Sequence, residues 1–415
     1  MTLSRLLVFS SLFISSSCSY FIELDQSREK VVFKNLNKQV TCKQPSSFSI
    51  ASQTGTNFSN IKTELFKISN QHNLKAIETF AVWALIQMYI RPEKVSPHSA
   101  LQVLDTTRTK NDYFSFNAKK FHSALYLSSV RTLLKKYSSK KSLREIARYV
   151  DLVMTRYHLV DNDLGRTLLE NRSDLMSNKR NRALYFKGQQ VLREGEALKT
   201  YSMSTVVKSY KSKTIKYTGH LFENKLGPST SVRCNFDIDI YKKGIYLIEP
   251  EGSDMSHPFS LSYKGKTFMA VASQRSNYKD NAKFTYSFIP KTTRTQKAFC
   301  KIKNSKNQFS IVSSKGRDSG QLLFNLFEYK ISESQQIDEV IEILNFPRYM
   351  FLLGPKRMIY ESGRSSSSQT QTFLDTGFPI YHMSSLGNIW LNYKTKKNNI
   401  MILDGRQDNL ISCTK

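Results

Sequence analysis

The chain has 415 residues, 40% hydrophobic and 12% aromatic, with 16 Gly and 10 Pro, a composition that excludes a disordered or collagen-like protein and suffices for one or two sizeable cores. Its formal charge of +29 is spread out: residues 61–200 carry 25 Lys and Arg against 13 Asp and Glu, and residues 201–415 carry 31 against 17. A dedicated nucleic-acid surface concentrates its cations, so the even excess gives no specific nucleic-acid signal and points to attraction toward anionic envelope polymers or a membrane surface.

The N-terminus reads as a secretory signal over residues 1–19. Arg5 precedes the apolar stretch Leu6 to Ile14, and Ser15, Ser16, Ser17, Cys18 and Ser19 supply the small residues of a cleavage site. That apolar stretch is shorter than the roughly 20 residues a bilayer span needs. Two cuts stay open. Cleavage before Tyr20 releases the mature protein. Cleavage before Cys18 leaves that cysteine as a lipid-attachment site, because Ile14-Ser15-Ser16-Ser17-Cys18 resembles the lipobox of bacterial lipoproteins, with Ser15 where that family prefers Leu.

Residues 20–60 are mixed and become rich in Ser, Thr and Asn from Ser46 to Asn60, which predicts an extended arm or linker. From Leu74 the apolar residues Ile77, Phe80, Ala81, Ala84, Leu85 and Met88 recur at spacings of three and four, predicting a core helix interrupted by Gln87 and stopped at Arg91-Pro92. A second helix is expected from about Asn117 to Tyr137. A third starts at Ser142, which forms a capping box with Glu145, and further helical pattern runs from Leu164 to Leu198. Nine basic residues and one acid lie between Lys119 and Arg148, a run that usually marks a solvated helix face.

Near residue 200 the period changes from 3.6 to 2. Cys234 to Ile240 alternates strictly, as do Phe284, Tyr286, Phe288 and Ile389, Leu391, Tyr393. Further strands are predicted at Ile245 to Ile248, Thr267 to Ala272, Phe309 to Val312 and Leu322 to Tyr329, with turns at Lys243-Gly244, Lys264-Gly265 and Asp404-Gly405. One helix, Ile337 to Leu344, interrupts them before Pro347. The expected fold is therefore α+β: an α-helical domain over 61–200, then a mainly antiparallel β-rich domain over 201–415, a sandwich or open barrel with one inserted helix.

Two short stretches resemble protease sites. Phe373-Leu374-Asp375-Thr376-Gly377 is similar to the active-site turn of aspartic proteases, a turn whose Asp shares a proton with a second Asp in that family. Gly316-Arg317-Asp318-Ser319-Gly320 resembles the nucleophile loop of trypsin-like proteases, and His220 and Asp254 precede Ser319 in the order of a triad. Arg317 stands where that family has Gly, so a surface loop is the simpler reading of the second, as a strand running into a turn is of the first. The seven His are scattered and no metal, phosphate-loop or dinucleotide motif is present, so no cofactor is expected.

The remaining cysteines, Cys42, Cys234, Cys300 and Cys413, are even in number and are expected to oxidise outside the cytoplasm. Of three connectivities, Cys234 with Cys300 and Cys42 with Cys413 are favoured, the first because both flank strands of the β half, the second because chain ends often meet. The functional expectation is an exported protein, envelope-associated or secreted, acting as a binding or structural module of unknown ligand. The alternative is an extracytoplasmic hydrolase whose site carries no sequence motif.

Overall fold

A computed structural model describes residues 36, 42, 46–52, 59–116, 124–154, 158–177, 179–198, 201–225, 230–244, 253–254, 256–274, 293–294, 297–314, 318–353, 356–361, 364, 371, 375, 377, 379–383, 385–395, 399–404, 406 and 409–414. The signal segment with Cys18 lies outside them, as do the strands expected at Ile245 to Ile248 and at Phe284 to Phe288.

The chain enters through strand β1 (Phe48–Ser52), then helices α1 (Ser59–Gln71) and α2 (Ala76–Ile90). The hairpin β2 (Ala100–Asp105) and β3 (Tyr113–Phe116) leads to α3 (Leu125–Lys136) and α4 (Leu143–Val153). Three short helices follow, α5 (Asn162–Glu170), α6 (Arg172–Ser177) and α7 (Lys179–Tyr185), and then α8 (Met203–Ser209). The second half runs β4 (Phe222–Lys225), β5 (Ser231–Cys234), α9 (Asp239–Lys242), β6 (Ser256–Tyr263), β7 (Lys266–Ser273), β8 (Ala298–Lys303) and β9 (Gln308–Ser314). It ends with α10 (Ser319–Glu328), α11 (Ile337–Asn345), β10 (Tyr349–Leu353), β11 (Lys356–Tyr360), β12 (Ile380–His382), β13 (Asn388–Lys394), β14 (Asn399–Asp404) and β15 (Asn409–Thr414).

The fold is α+β, and its two large sheets are antiparallel. One has the order β1-β6-β7-β2-β3, the other β15-β14-β13-β9-β8-β5-β4. Alternation along each strand builds three apolar layers. In β7, Phe268, Ala270 and Ala272 face α2 and its neighbours, while Met269 and Val271 face the other sheet. In β14, Met401 and Leu403 meet that same inter-sheet layer, together with Phe299, Val312 and Trp390, while Ile400 and Ile402 face α10 and α11. The order through the molecule is thus helices, sheet, sheet, helices. Strands buried on both faces read as nearly continuous apolar runs, as Thr267 to Ala272 does.

Several expectations change in this arrangement. The stretch expected to be purely helical also supplies β2 and β3, which pair with β7 from the later half, so the two expected domains share one sheet. Phe48 to Ser52, expected as linker, is the edge strand of that sheet. The helices after Leu164 end at Tyr185, and two short ladders, His158–Leu159 with Ala197–Leu198 and Phe186–Lys187 with Gln190–Val191, close a small lobe around Val160, Leu164, Leu168 and Tyr185. Strand β5 stops at Cys234 because Asp237 Oδ1 accepts the amide of Asp239 at 3.0 Å, a side-chain turn that opens α9.

Leu322 to Tyr329, expected as a strand, is the helix α10, started by Asp318, whose Oδ1 accepts from the amides of Gly320 and Gln321 at 3.0 and 3.1 Å. The α2 helix is buried on every side, packed between the first sheet and the other helices. The capping box at α4 is closed on both arms, Glu145 N to Ser142 Oγ at 3.3 Å and Ser142 N to Glu145 Oε2 at 2.8 Å. Lys264 and Gly265, both at positive φ, turn β6 into β7.

Two disulfides tie the chain. Cys234–Cys300 joins β5 to β8 at directly opposed positions, and Cys42–Cys413 holds the N-terminal arm to β15.

Candidate functional site

The residues singled out by the protease resemblances have other partners. Asp318 caps α10 and accepts the Tyr241 hydroxyl at 2.8 Å, and Ser319 is buried at the helix start. Gly320 is there because a Cβ would lie 2.3 Å from the Tyr241 hydroxyl oxygen. His220 is exposed beside the ring of Phe222. Asp375 sits exposed in a turn, its amide donating to Gln371 O and its Oδ1 accepting from Gln371 Nε2, both at 3.0 Å.

Two buried ionic clusters are also fully engaged in holding layers together. Behind α11, Glu361 and Asp404 face Arg348 and Arg406, with Arg406 Nη2 2.7 Å from Glu361 Oε2 and Arg348 Nη2 2.5 Å from Asp404 Oδ2. Burial, and next the charge of Arg406, push the Arg348 guanidinium down to about 10. Where the two sheets meet, Asp112 accepts Lys301 at 2.8 Å and Arg233 at 2.7 Å, and Asp105 accepts the Tyr137 hydroxyl at 2.7 Å.

The arrangement most like a catalytic one was invisible as a motif. Ser52 at the end of β1, Gln87 on α2 and His257 at the start of β6 meet in the interior: Ser52 Oγ lies 3.0 Å from His257 Nε2, and Gln87 Oε1 lies 2.9 Å from both. A serine hydroxyl against an imidazole is the geometry of a nucleophile and its base. The hydrogens decide otherwise. Gln87 Nε2 donates to Trp83 O at 3.0 Å, which fixes the amide so that Oε1, an acceptor, faces the other two groups. In the tautomer with hydrogen on Nε2, His257 donates to that oxygen and Ser52 donates its own hydrogen to the same atom. A protonated Nε2 has no lone pair for the serine proton. Ser52 is 4% exposed and both Gln87 and His257 are 0% exposed, so the pair is buried. One turn further on α2's axis, Arg91 Nη1 lies 3.3 Å from Glu93 and 3.0 Å from Asp161, and burial raises the Glu93 carboxyl above the ordinary range against the lowering pull of Arg91 and Lys94.

Among the described residues, the surface grooves open to ligands include the following two. One, of about 610 Å³, lies on the small lobe between Asn162, Leu169, Arg172 and Glu194. The other, of about 600 Å³, runs between α3, α4 and α8. Its walls carry Arg131 and Lys135 from α3, Lys141 and Arg144 around the start of α4, and Lys208 and Lys211 from α8 and the turn after it. The segment after α8 is held against α3: Arg131 Nη1 donates to Ser212 O at 2.6 Å, Ser128 Oγ accepts Lys213 N at 3.1 Å, and Thr132 Oγ1 accepts Ile215 N at 3.0 Å. Part of the basic run between Lys119 and Arg148 thus forms a groove wall rather than an isolated helix face.

No protein-family model matches the chain, and no curated protein sequence does. Solved structures do match in shape. The structure of LmbA2991HD superposes with a TM-score of 0.62 at 8% identity, covering 90% of this chain and 100% of its own. A cephalosporin acylase from Bacillus halodurans superposes with a TM-score of 0.56 at 10% identity, covering 92% of this chain and 99% of its own. What is shared is the fold. The two disulfides fit an extracytoplasmic protein, and no helix among the described residues is long and apolar enough to cross a membrane.

Proposed function

We propose that the chain is an exported binding protein that uses a two-sheet fold shared with an acylase without carrying out hydrolysis. The observation that supports this reading is the Ser52, Gln87 and His257 arrangement, a buried serine and imidazole that both lie 2.9 Å from an amide oxygen able to take their hydrogens. In the interior the three groups link β1, α2 and β6, a structural duty, while charge suited to a ligand lies in the groove between α3, α4 and α8.

The export signal over residues 1–19 and the disulfides support a site of action in the cell envelope or medium. Cys18 is the proposed lipid anchor. A palmitate analogue fed to cells is expected to label the wild type and not Cys18→Ala. Equal labelling of both removes the anchor from Cys18.

The second reading, a hydrolase, is favoured by the fold likeness to an acylase. Turnover separates the two. The purified mature protein is expected neither to react with a fluorophosphonate nor to cleave acyl amides, a cephalosporin among them. Cleavage of any of these by the wild type, lost in Ser52→Ala, overturns the binding reading.

A further inference from the structure

We infer that the groove between α3, α4 and α8 binds an anionic polysaccharide strand. The inference deepens the binding reading above by naming its site and ligand class. Six cationic side chains, Arg131, Lys135, Lys141, Arg144, Lys208 and Lys211, line about 600 Å³, and among the described residues no Asp or Glu lines it with them. Five of the six are exposed. Glu145, the nearest acid in sequence, is turned to the Ser142 amide at 2.8 Å and to Lys141 at 3.6 Å. Apart from Lys141 with its Glu145 partner, like charges brought together in this way repel, and an anion seated among them relieves that repulsion. The start of α4, an 11-residue helix, adds the positive end of its dipole on the same side.

Shape selects the kind of anion. The cations come from three elements around the groove, α3, the start of α4 and the end of α8, so a strand lying in it meets all three. A flat bilayer surface meets only the rim. Single-stranded nucleic acid is bound by cations together with aromatic platforms on which bases stack. The one aromatic side chain lining this groove among the described residues, Tyr210, is half-buried and set edge-on against the His98 ring at 5.5 Å. Sulfate, phosphate or carboxylate groups spaced along a sugar chain need no such platform, and Arg131 and Arg144 supply guanidinium forks for them. An exported protein meets polymers of this class outside the cell.

The test is calorimetric titration of the intact mature protein with heparin as the sulfate-bearing probe and polygalacturonate as the carboxylate-bearing one. The groove triple Lys135→Gln, Lys208→Gln, Lys211→Gln is compared with Lys67→Gln, Lys356→Gln, Lys394→Gln, which removes the same charge elsewhere. Ion-pair binding by six groups implies that affinity falls by roughly three-hundredfold between 50 and 200 mM salt, with the logarithmic slope reduced by about two in the groove triple. The groove triple is expected to lose at least tenfold in affinity for one probe or both while the control triple stays within about threefold, and the probe lost identifies the acid group. Equal losses in the two triples overturn the groove assignment and leave the binding reading intact. Tighter binding of a single-stranded oligonucleotide or of anionic vesicles than of either polysaccharide overturns the ligand class. Shortening of the polysaccharide during the titration overturns the non-catalytic reading while the groove assignment stands on the triple variants. Thermal melts of both triples keep loss of folding distinct from loss of binding.

Discussion

Replacing Glu361 by Gln removes one of the two carboxylates that hold Arg348 and Arg406 in the interior. The carboxylate takes four donors: Oε2 accepts Arg348 N at 2.9 Å and Arg406 Nη2 at 2.7 Å, and Oε1 accepts Leu386 N at 2.5 Å and Arg406 Nε at 3.1 Å. An amide has the same shape, but its nitrogen would confront two of these donors with a third. Glu361 and Arg406 are each 0% exposed, so water cannot replace what is lost. Breaking one partner of a buried ion pair costs about 3–5 kcal/mol, and two orphaned donors place Glu361→Gln toward the upper end. That is a third or more of the roughly 5–15 kcal/mol that stabilises a typical domain. Urea denaturation with disulfides intact, followed by circular dichroism, should show a lower midpoint with an unchanged slope. A loss under about 1 kcal/mol would mean that the cluster does not hold α11 to the second sheet as its geometry implies.

Removing the Cys234–Cys300 bridge with paired alanines opens a loop closed across 66 residues, which in the chain-entropy account costs about 4 kcal/mol; thermal unfolding with Cys42–Cys413 retained measures it, and an unchanged midpoint contradicts it. Glu93 has a folded carboxyl raised by burial, so its charged form opposes folding and the penalty grows as pH rises through the unfolded value near 4.3. Glu93→Gln should therefore gain stability relative to wild type as pH goes from 4 toward 7 in denaturant titrations, and a constant difference across that range would refute the assigned cause.

The elements legible in the sequence are those where local signals agree. The α2 helix has apolar spacing and a Pro92 stop, α4 has its capping box, α11 ends before Pro347, and β13 alternates. The failures have one physical origin, that short apolar runs do not declare their period. Leu322 to Tyr329 is rich in large apolar residues and reads as a strand until Asp318 is seen to be a helix cap. Phe48 to Ser52 carries two serines, Ser49 and Ser52, whose hydroxyls bond inside the fold, as Ser52 does to Gln87. The Ser52, Gln87 and His257 centre draws on three distant elements, so no spacing could reveal it, and its one trace was a glutamine inside an otherwise apolar helix. For the basic groove, the wall on α3 and α4 was visible as a charge run, whereas Lys208 and Lys211 belong to a segment that only packing brings opposite.

The protonation of His257 in the native protein bears most directly on whether this fold catalyses or only binds. Proton–nitrogen NMR correlating the ring nitrogens with the ring protons reads it at neutral pH. The expected result is hydrogen on Nε2, retained in Ser52→Ala, because Gln87 Oε1 accepts it at 2.9 Å whether or not the serine is present. A bare Nε2 accepting the Ser52 hydroxyl would be a nucleophile paired with its base, and would contradict the non-catalytic reading.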